Sequence, residues 1–131
     1  MNLERITAII TDDDPGHVIL IKKCLSKIGV EKILTFKNGE ELLLFFENKI
    51  EIADKNLFLL LDLRMPKIDG IHVLKKLKND PLLKKIPVII ISTTEDTDEI
   101  ENCKNNGCDY YLAKPIETKN MTEALTELMI I

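Results

Sequence analysis

Short apolar runs alternate with amphipathic ones from one end of the chain to the other, and few folds accept that pattern. Residues 6–11, 33–36, 57–62, 88–92 and 109–113 are apolar or β-branched stretches of strand length. Between and after them, apolar side chains recur at helical spacing. The sets are Val18, Ile21, Leu25 and Ile28; Leu42, Leu43 and Phe46; Ile71, Leu74 and Leu77; Ile100 and Cys103; and Met121, Leu125, Leu128 and Met129. Such alternation implies a parallel sheet joined by right-handed crossovers, with helices on both faces. The run 88–92 is apolar on both faces, which places it inside the sheet. Residues 1–131 read as one α/β domain, long enough to bury a core without disulfides or a structural metal.

Local chemistry punctuates the same elements. Asp14 followed by Pro15 fits an N-cap with proline at the first helical position. Asn38 with Glu41 three residues on fits a capping box, and Asp69–Gly70 is turn and cap chemistry. Gly29 and Gly107 stop helices. Asp80–Pro81 and Ile86–Pro87 bracket a connector, because proline pushes the residue before it out of the helical region. The helix over 96–106 is thin. With Ile100 and Cys103 as its apolar anchors it is weakly held, since packing supplies most helical stability.

Composition removes several function classes. A net charge of −4 disfavours non-specific binding to nucleic acid or an anionic membrane. No apolar run approaches the ~20 residues of a membrane span. Cys24, Cys103 and Cys108, with no signal-peptide pattern, read as reduced thiols at a cytoplasmic address. Cys103-x4-Cys108 lacks the second ligand pair of a zinc site, and DDDPGHV lacks the glycine and glutamate positions of a calcium loop. His17 and His72 read as residues of solvated helix faces.

Chemistry gathers at the strand ends instead. The first strand runs into Asp12, Asp13 and Asp14, the third into Asp62, the fourth into Ser92 and Thr93, and the fifth into Lys114–Pro115. In a parallel doubly wound sheet those tips share one edge, where ligands bind. The second strand offers nothing similar, as an outer strand would not. Unit charges ~4 Å apart interact by about 4 kcal/mol at an effective dielectric of 20, so the acids repel one another. A hard divalent cation such as Mg²⁺ relieves this. The remaining charges suit a phosphoryl group on Asp62, met by Mg²⁺, Lys114 and the Ser92 hydroxyl.

Four stretches, ITDDDP, LLLDLRMPKIDG, PVIIIST and YYLAKP, resemble in order and spacing the receiver domain of two-component response regulators. The likeness covers essentially the whole chain. It implies a flavodoxin-like doubly wound five-stranded parallel sheet, order 2-1-3-4-5, with five helices. It implies that Asp62 is the phosphoacceptor and that Asp12 and Asp13 hold Mg²⁺, Asp13 directly, with the backbone carbonyl of Arg64 as third protein ligand. By the same resemblance Ser92 follows the phosphoryl group and Lys114 is the motif's lysine, its bond to Pro115 cis. Tyr111 is then the aromatic switch, and Arg64 and Thr94 tune dephosphorylation. The donor is a sensor histidine kinase or phosphotransfer protein. Output passes to a downstream protein target, a phosphorelay or a homodimer, and the domain assists its own phosphorylation without being a metabolic enzyme. The run KNDPLLKKIPVIIIST is similar to the small response regulators paired with phytochrome-type kinases. Two other functions compete. An aspartate-nucleophile phosphatase usually has a second acid two residues after the nucleophile, where this chain has Arg64. A pseudo-receiver would have lost part of the acid, hydroxyl and lysine set that is intact here.

Overall fold

Side chains leave a strand alternately on its two faces, and in this chain both faces are apolar. The computed structural model describes residues 5–48, 52 and 55–131. Residues 1–4, 49–51 and 53–54 of the domain read from the sequence lie outside the described residues. The elements are β1 (Ile6–Thr11), α1 (Pro15–Ile28), β2 (Lys32–Phe36), α2 (Gly39–Phe45), β3 (Asn56–Asp62), α3 (Gly70–Lys78), β4 (Val88–Ser92), α4 (Thr97–Asn105), β5 (Tyr110–Ala113) and α5 (Thr118–Glu127). All strand pairs are parallel, in the order β2-β1-β3-β4-β5. The flavodoxin-like topology is therefore the one the sequence implies.

The alternation splits the core in two. Ala8, Ile10, Phe58, Leu60, Ile89 and Ile91 face one way and pack with Ile21 and Leu25 of α1 and Met121 and Leu125 of α5. Ile9, Leu59, Leu61, Val88 and Ile90 face the other way, onto Leu42, Val73, Leu74, Leu77 and Cys103 of α2, α3 and α4. Cys103 is the buried side chain of α4 and Ile100 is only half-buried, so this helix is as thinly anchored as its sequence predicts.

Three helices end in one device. After α1, α4 and α5 a residue turns left-handed: Gly29 at φ +108°, Gly107 at +95° and Met129 at +60°. The residue after each then donates its N–H back into the last turn, Val30 to Leu25, Cys108 to Cys103 and Ile130 to Leu125. The two residues of each pair belong to the same apolar cluster, as the hydrophobic contact of this motif requires. Met129 is thereby a correction. Helical spacing put it on the last helix, but α5 ends before it and the reversal leaves it 79% exposed while Ile130 is buried.

A polar anchor closes the end of the sheet remote from the strand tips. Lys78 Nζ donates to the carbonyls of Lys84 (3.0 Å) and Ile86 (2.8 Å) and to Asp109 Oδ2 (2.8 Å), which also accepts from the Val88 N–H at 2.8 Å. This ties α3 and the connector to β4 and to Asp109, which stands just before β5.

At the strand tips, Gly70 lets α3 start directly against β3. A Cβ there would lie 2.5 Å from the Asp62 carbonyl oxygen and 2.8 Å from Leu63 Cα, both backbone atoms that cannot swing away. Gly70→Ala is expected to destabilise the domain by about 2 kcal/mol or more, as overpacking of a fixed backbone does. Urea unfolding measures this; a loss below ~0.5 kcal/mol would show that the β3 tip is free to yield.

Candidate functional site

The end of β1 delivers two acids with opposite exposures. Asp12 is buried and Asp13 exposed. Asp14 serves as the predicted cap, its Oδ1 accepting from the Gly16 N–H at 2.9 Å with Pro15 opening α1. Asp12 Oδ1 accepts from the Asp14 N–H at 2.9 Å, whereas Asp12 Oδ2 is buried and, among the described residues, has no hydrogen-bond partner. Its compensation is ionic: Lys114 Nζ stands 3.1 Å away.

Asp62, from the end of β3, is buried beside them. Its Oδ1 accepts from the Arg64 N–H at 3.3 Å, and its Oδ2 lies 3.4 Å from Lys114 Nζ. The Lys114 side chain is itself 7% exposed, so one ammonium is shared between two buried carboxylates. Burial pushes the Asp62 carboxyl up from 3.8 to about 6. Lys114 opposes this most strongly, the Asp12 charge adds to it, and the Arg64 N–H resists it. One carboxylate oxygen from each of Asp12, Asp13 and Asp62 can be chosen so that all lie within 4.8 Å of one another. The Lys114–Pro115 peptide is cis, as the motif implies.

The hydroxyl side of the site lies toward α4. Ser92 is buried and its Oγ accepts from the Thr94 N–H at 3.1 Å. Tyr111 donates its hydroxyl to the Thr94 carbonyl at 2.9 Å. Burial raises the phenol's pKa. Thr93 is exposed and takes no part in these contacts.

Two participants escaped the sequence reading. His17, read as a solvated helix residue, has Nδ1 3.1 Å from Lys114 Nζ, 3.4 Å from Asp14 Oδ2 and 3.9 Å from Asp12 Oδ2. This is a correction with a simple cause. His17 lies in the first turn of α1, which points at the strand tips, and the lysine it meets is 97 residues away in sequence. His72 is exposed on α3, as expected. The second is Glu99, whose carboxylate accepts from Arg64 Nη2 at 2.6 Å and from the Thr94 hydroxyl. A helical glutamate beside Asp98 carries no signal of its own. The one available clue was that α4 has too few apolar anchors to be held by packing alone.

The family model of the response regulator receiver domain matches residues 8–126. The chain belongs to that family. This receiver domain is 28% identical over 117 residues to the chemotaxis protein CheY1 of Helicobacter pylori, covering 89% of this chain and 91% of that one. Among solved structures it is similar to a response regulator receiver domain from Rhodospirillum rubrum, at 32% identity and TM-score 0.79, covering 93% of this chain and 89% of that one. The phosphorylated cyanobacterial phytochrome response regulator RcpA matches at 26% identity and TM-score 0.76, covering 93% and 89%. Receiver domains are signalling domains of two-component systems and bind Mg²⁺ or Mn²⁺ at an acidic pocket. The pocket of this receiver domain suits such an ion. Its donors are hard carboxylate oxygens, and one of them, Asp12 Oδ2, is buried without a hydrogen bond. Among the described residues no helix is long and apolar enough to cross a membrane.

The raised Asp62 value has a stability consequence whose sign is fixed. A carboxyl that titrates near 6 when folded and near 3.8 when unfolded binds its proton more tightly in the folded state. Folding is therefore penalised progressively as pH rises from about 4 to above 6. In EDTA, Asp62→Asn is expected to be more stable than the parent at pH 7.5 by on the order of 2 kcal/mol, with the margin shrinking toward pH 4. Urea midpoints across that range measure it. A margin independent of pH would show that Asp62 carries no ionisation cost.

Proposed function

We propose that the protein is a response regulator that accepts a phosphoryl group on Asp62 and passes the signal to a partner protein. The observation that carries this reading is the meeting of Asp62, Asp12 and Lys114 in one buried cluster, the ammonium 3.1 and 3.4 Å from the two carboxylates. A buried carboxylate held by a shared cation and fixed by a backbone N–H is oriented to act as a nucleophile.

The donor is the phosphohistidine of a sensor kinase or phosphotransfer protein. An Asp62 oxygen attacks phosphorus, the phosphorus–nitrogen bond breaks, and an acyl phosphate results. Lys114 then pairs with a phosphoryl oxygen, and the Ser92 hydroxyl swings to another. Asp12, Asp13 and the Arg64 backbone carbonyl would hold Mg²⁺, and neutralising the negative charge that builds up on the phosphoryl oxygens is the chemistry it supplies when bound. Movement of Ser92 draws on the Thr94 N–H, and through Thr94 on Tyr111, so Tyr111 and the face of α4, β5 and α5 change together. That face is where a downstream protein reads the state. Likeness to the phytochrome response regulator RcpA, and the connector run after α3, support the narrower reading of a small regulator served by a phytochrome-type kinase.

Labelled acetyl phosphate with Mg²⁺ tests the assignment. Asp62→Asn is expected to lose incorporation while keeping its fold; label persisting without a shift to a neighbouring residue would falsify the role of Asp62.

Asp13→Ala is expected to weaken Mg²⁺ binding at least tenfold. It should also raise the metal-free melting temperature by ~2–4 °C, because one carboxylate of a repelling group is gone. A melting temperature that falls instead would mean that Asp13 is structurally paired.

A further inference from the structure

Glu99 sits in the first turns of α4 and holds two loops with one carboxylate. Its Oε1 accepts from Arg64 Nη2 at 2.6 Å, and its Oε2 accepts from the Thr94 hydroxyl. Arg64 stands two residues past Asp62, and Thr94 two past Ser92. Thr94 is the hub of its own loop. Its N–H donates to Ser92 Oγ at 3.1 Å, its carbonyl accepts from Tyr111 at 2.9 Å, and its hydroxyl accepts from the Asp96 N–H at 3.2 Å. The Arg64 side chain is 66% exposed, so the ion pair contributes little to stability. What it does is fix direction. The guanidinium is drawn toward α4, beside an open cleft of about 620 Å³ that both side chains line with Leu63 and Ile71.

We infer that Glu99 is a positioning residue that sets the lifetime of the phosphorylated state. The inference rests on Asp62 being the phosphoacceptor. While Glu99 holds Arg64, the guanidinium is kept off Asp62 and the phosphoryl group stays open to water. Once released, Arg64 is free to turn from α4 toward the phosphoryl group on Asp62, two residues before it in the chain. Charge-assisted hydrogen bonds from the guanidinium then cover the phosphoryl oxygens and slow hydrolysis. Because Glu99 belongs to the thinly anchored α4, a partner that shifts this helix also releases Arg64. Binding of the target and persistence of the signal are thereby coupled through one side chain.

Glu99→Gln keeps the side chain's size and removes its charge. The decay of the acyl phosphate is followed in the parent, E99Q, R64A and the double variant. E99Q is expected to lengthen the lifetime threefold or more, and the double variant to match R64A alone. An unchanged or shortened lifetime in E99Q overturns the inference, as does an equal lengthening in the R64A background. A second readout needs no phosphorylation. The Arg64 Nε–Hε and Thr94 amide NMR signals of the unphosphorylated protein are expected to move in E99Q, and their staying in place overturns the positioning role. If the parent takes up no phosphate at all, the phosphoacceptor reading falls and the lifetime role with it. A displaced Arg64 signal would in that case still establish the contact.

Discussion

A single ammonium holds the site together. Lys114 Nζ lies between the buried carboxylates of Asp12 and Asp62, and among the described residues nothing else of opposite charge reaches Asp12 Oδ2 as closely. Bringing charges out of water costs several kcal/mol per ion, and attraction repays this only when the remaining lone pairs are satisfied. Here they are not. Asp12 keeps an oxygen without a hydrogen bond, and Asp62 titrates near 6 despite the lysine. The cluster is therefore under-compensated, and added positive charge would stabilise it. A functional site that costs stability in this way is what the cation-binding acidic pocket of a receiver domain calls for.

The sheet decides which side chains can meet. On β1, β3 and β5 the parity that sends Ala8, Ile10, Phe58, Leu60 and Leu112 toward α1 and α5 also carries Asp12, Asp62 and Lys114 if extended past the strand ends. Their contacts agree, since Asp12 and Lys114 meet His17 of α1 and Asp62 joins them through Lys114. Ser92 shares the parity of Val88 and Ile90, and Tyr111 packs on the same side, toward α4. The pocket thus has an ionic half against α1 and a hydroxyl half against α4. Asp62 and Ser92, on neighbouring strands, bring the halves together.

The two helices that flank these halves are held by different physics. α1 buries Ile21, Cys24 and Leu25, whereas α4 buries Cys103 and is otherwise tied by Glu99 to Arg64 and Thr94. Apolar packing is lost only when a helix leaves the core, but polar contacts to two loops can be exchanged one at a time. A helix held in this way is expected to open at lower free energy than one held by packing, which is what a conformational switch requires.

Much of this was written in the sequence. Alternating apolar runs determined a parallel sheet, because residues spaced by two and by three or four can be buried together only in layers. Caps such as Asp14 and Asn38, and stops such as Gly29 and Gly107, are local chemistry and were legible locally. The acids, hydroxyl and lysine at strand ends followed from parallel topology, which puts every tip on one edge. Tertiary structure alone decided the rest. His17 meets Lys114 across 97 residues, and Glu99 reaches Arg64 across 35. Met129 left the helix because the chain reversed to bury Ile130. Periodicity reports which face of an element is apolar. It does not report which polar side chains on the other face find one another, because that depends on distances set only when the layers pack.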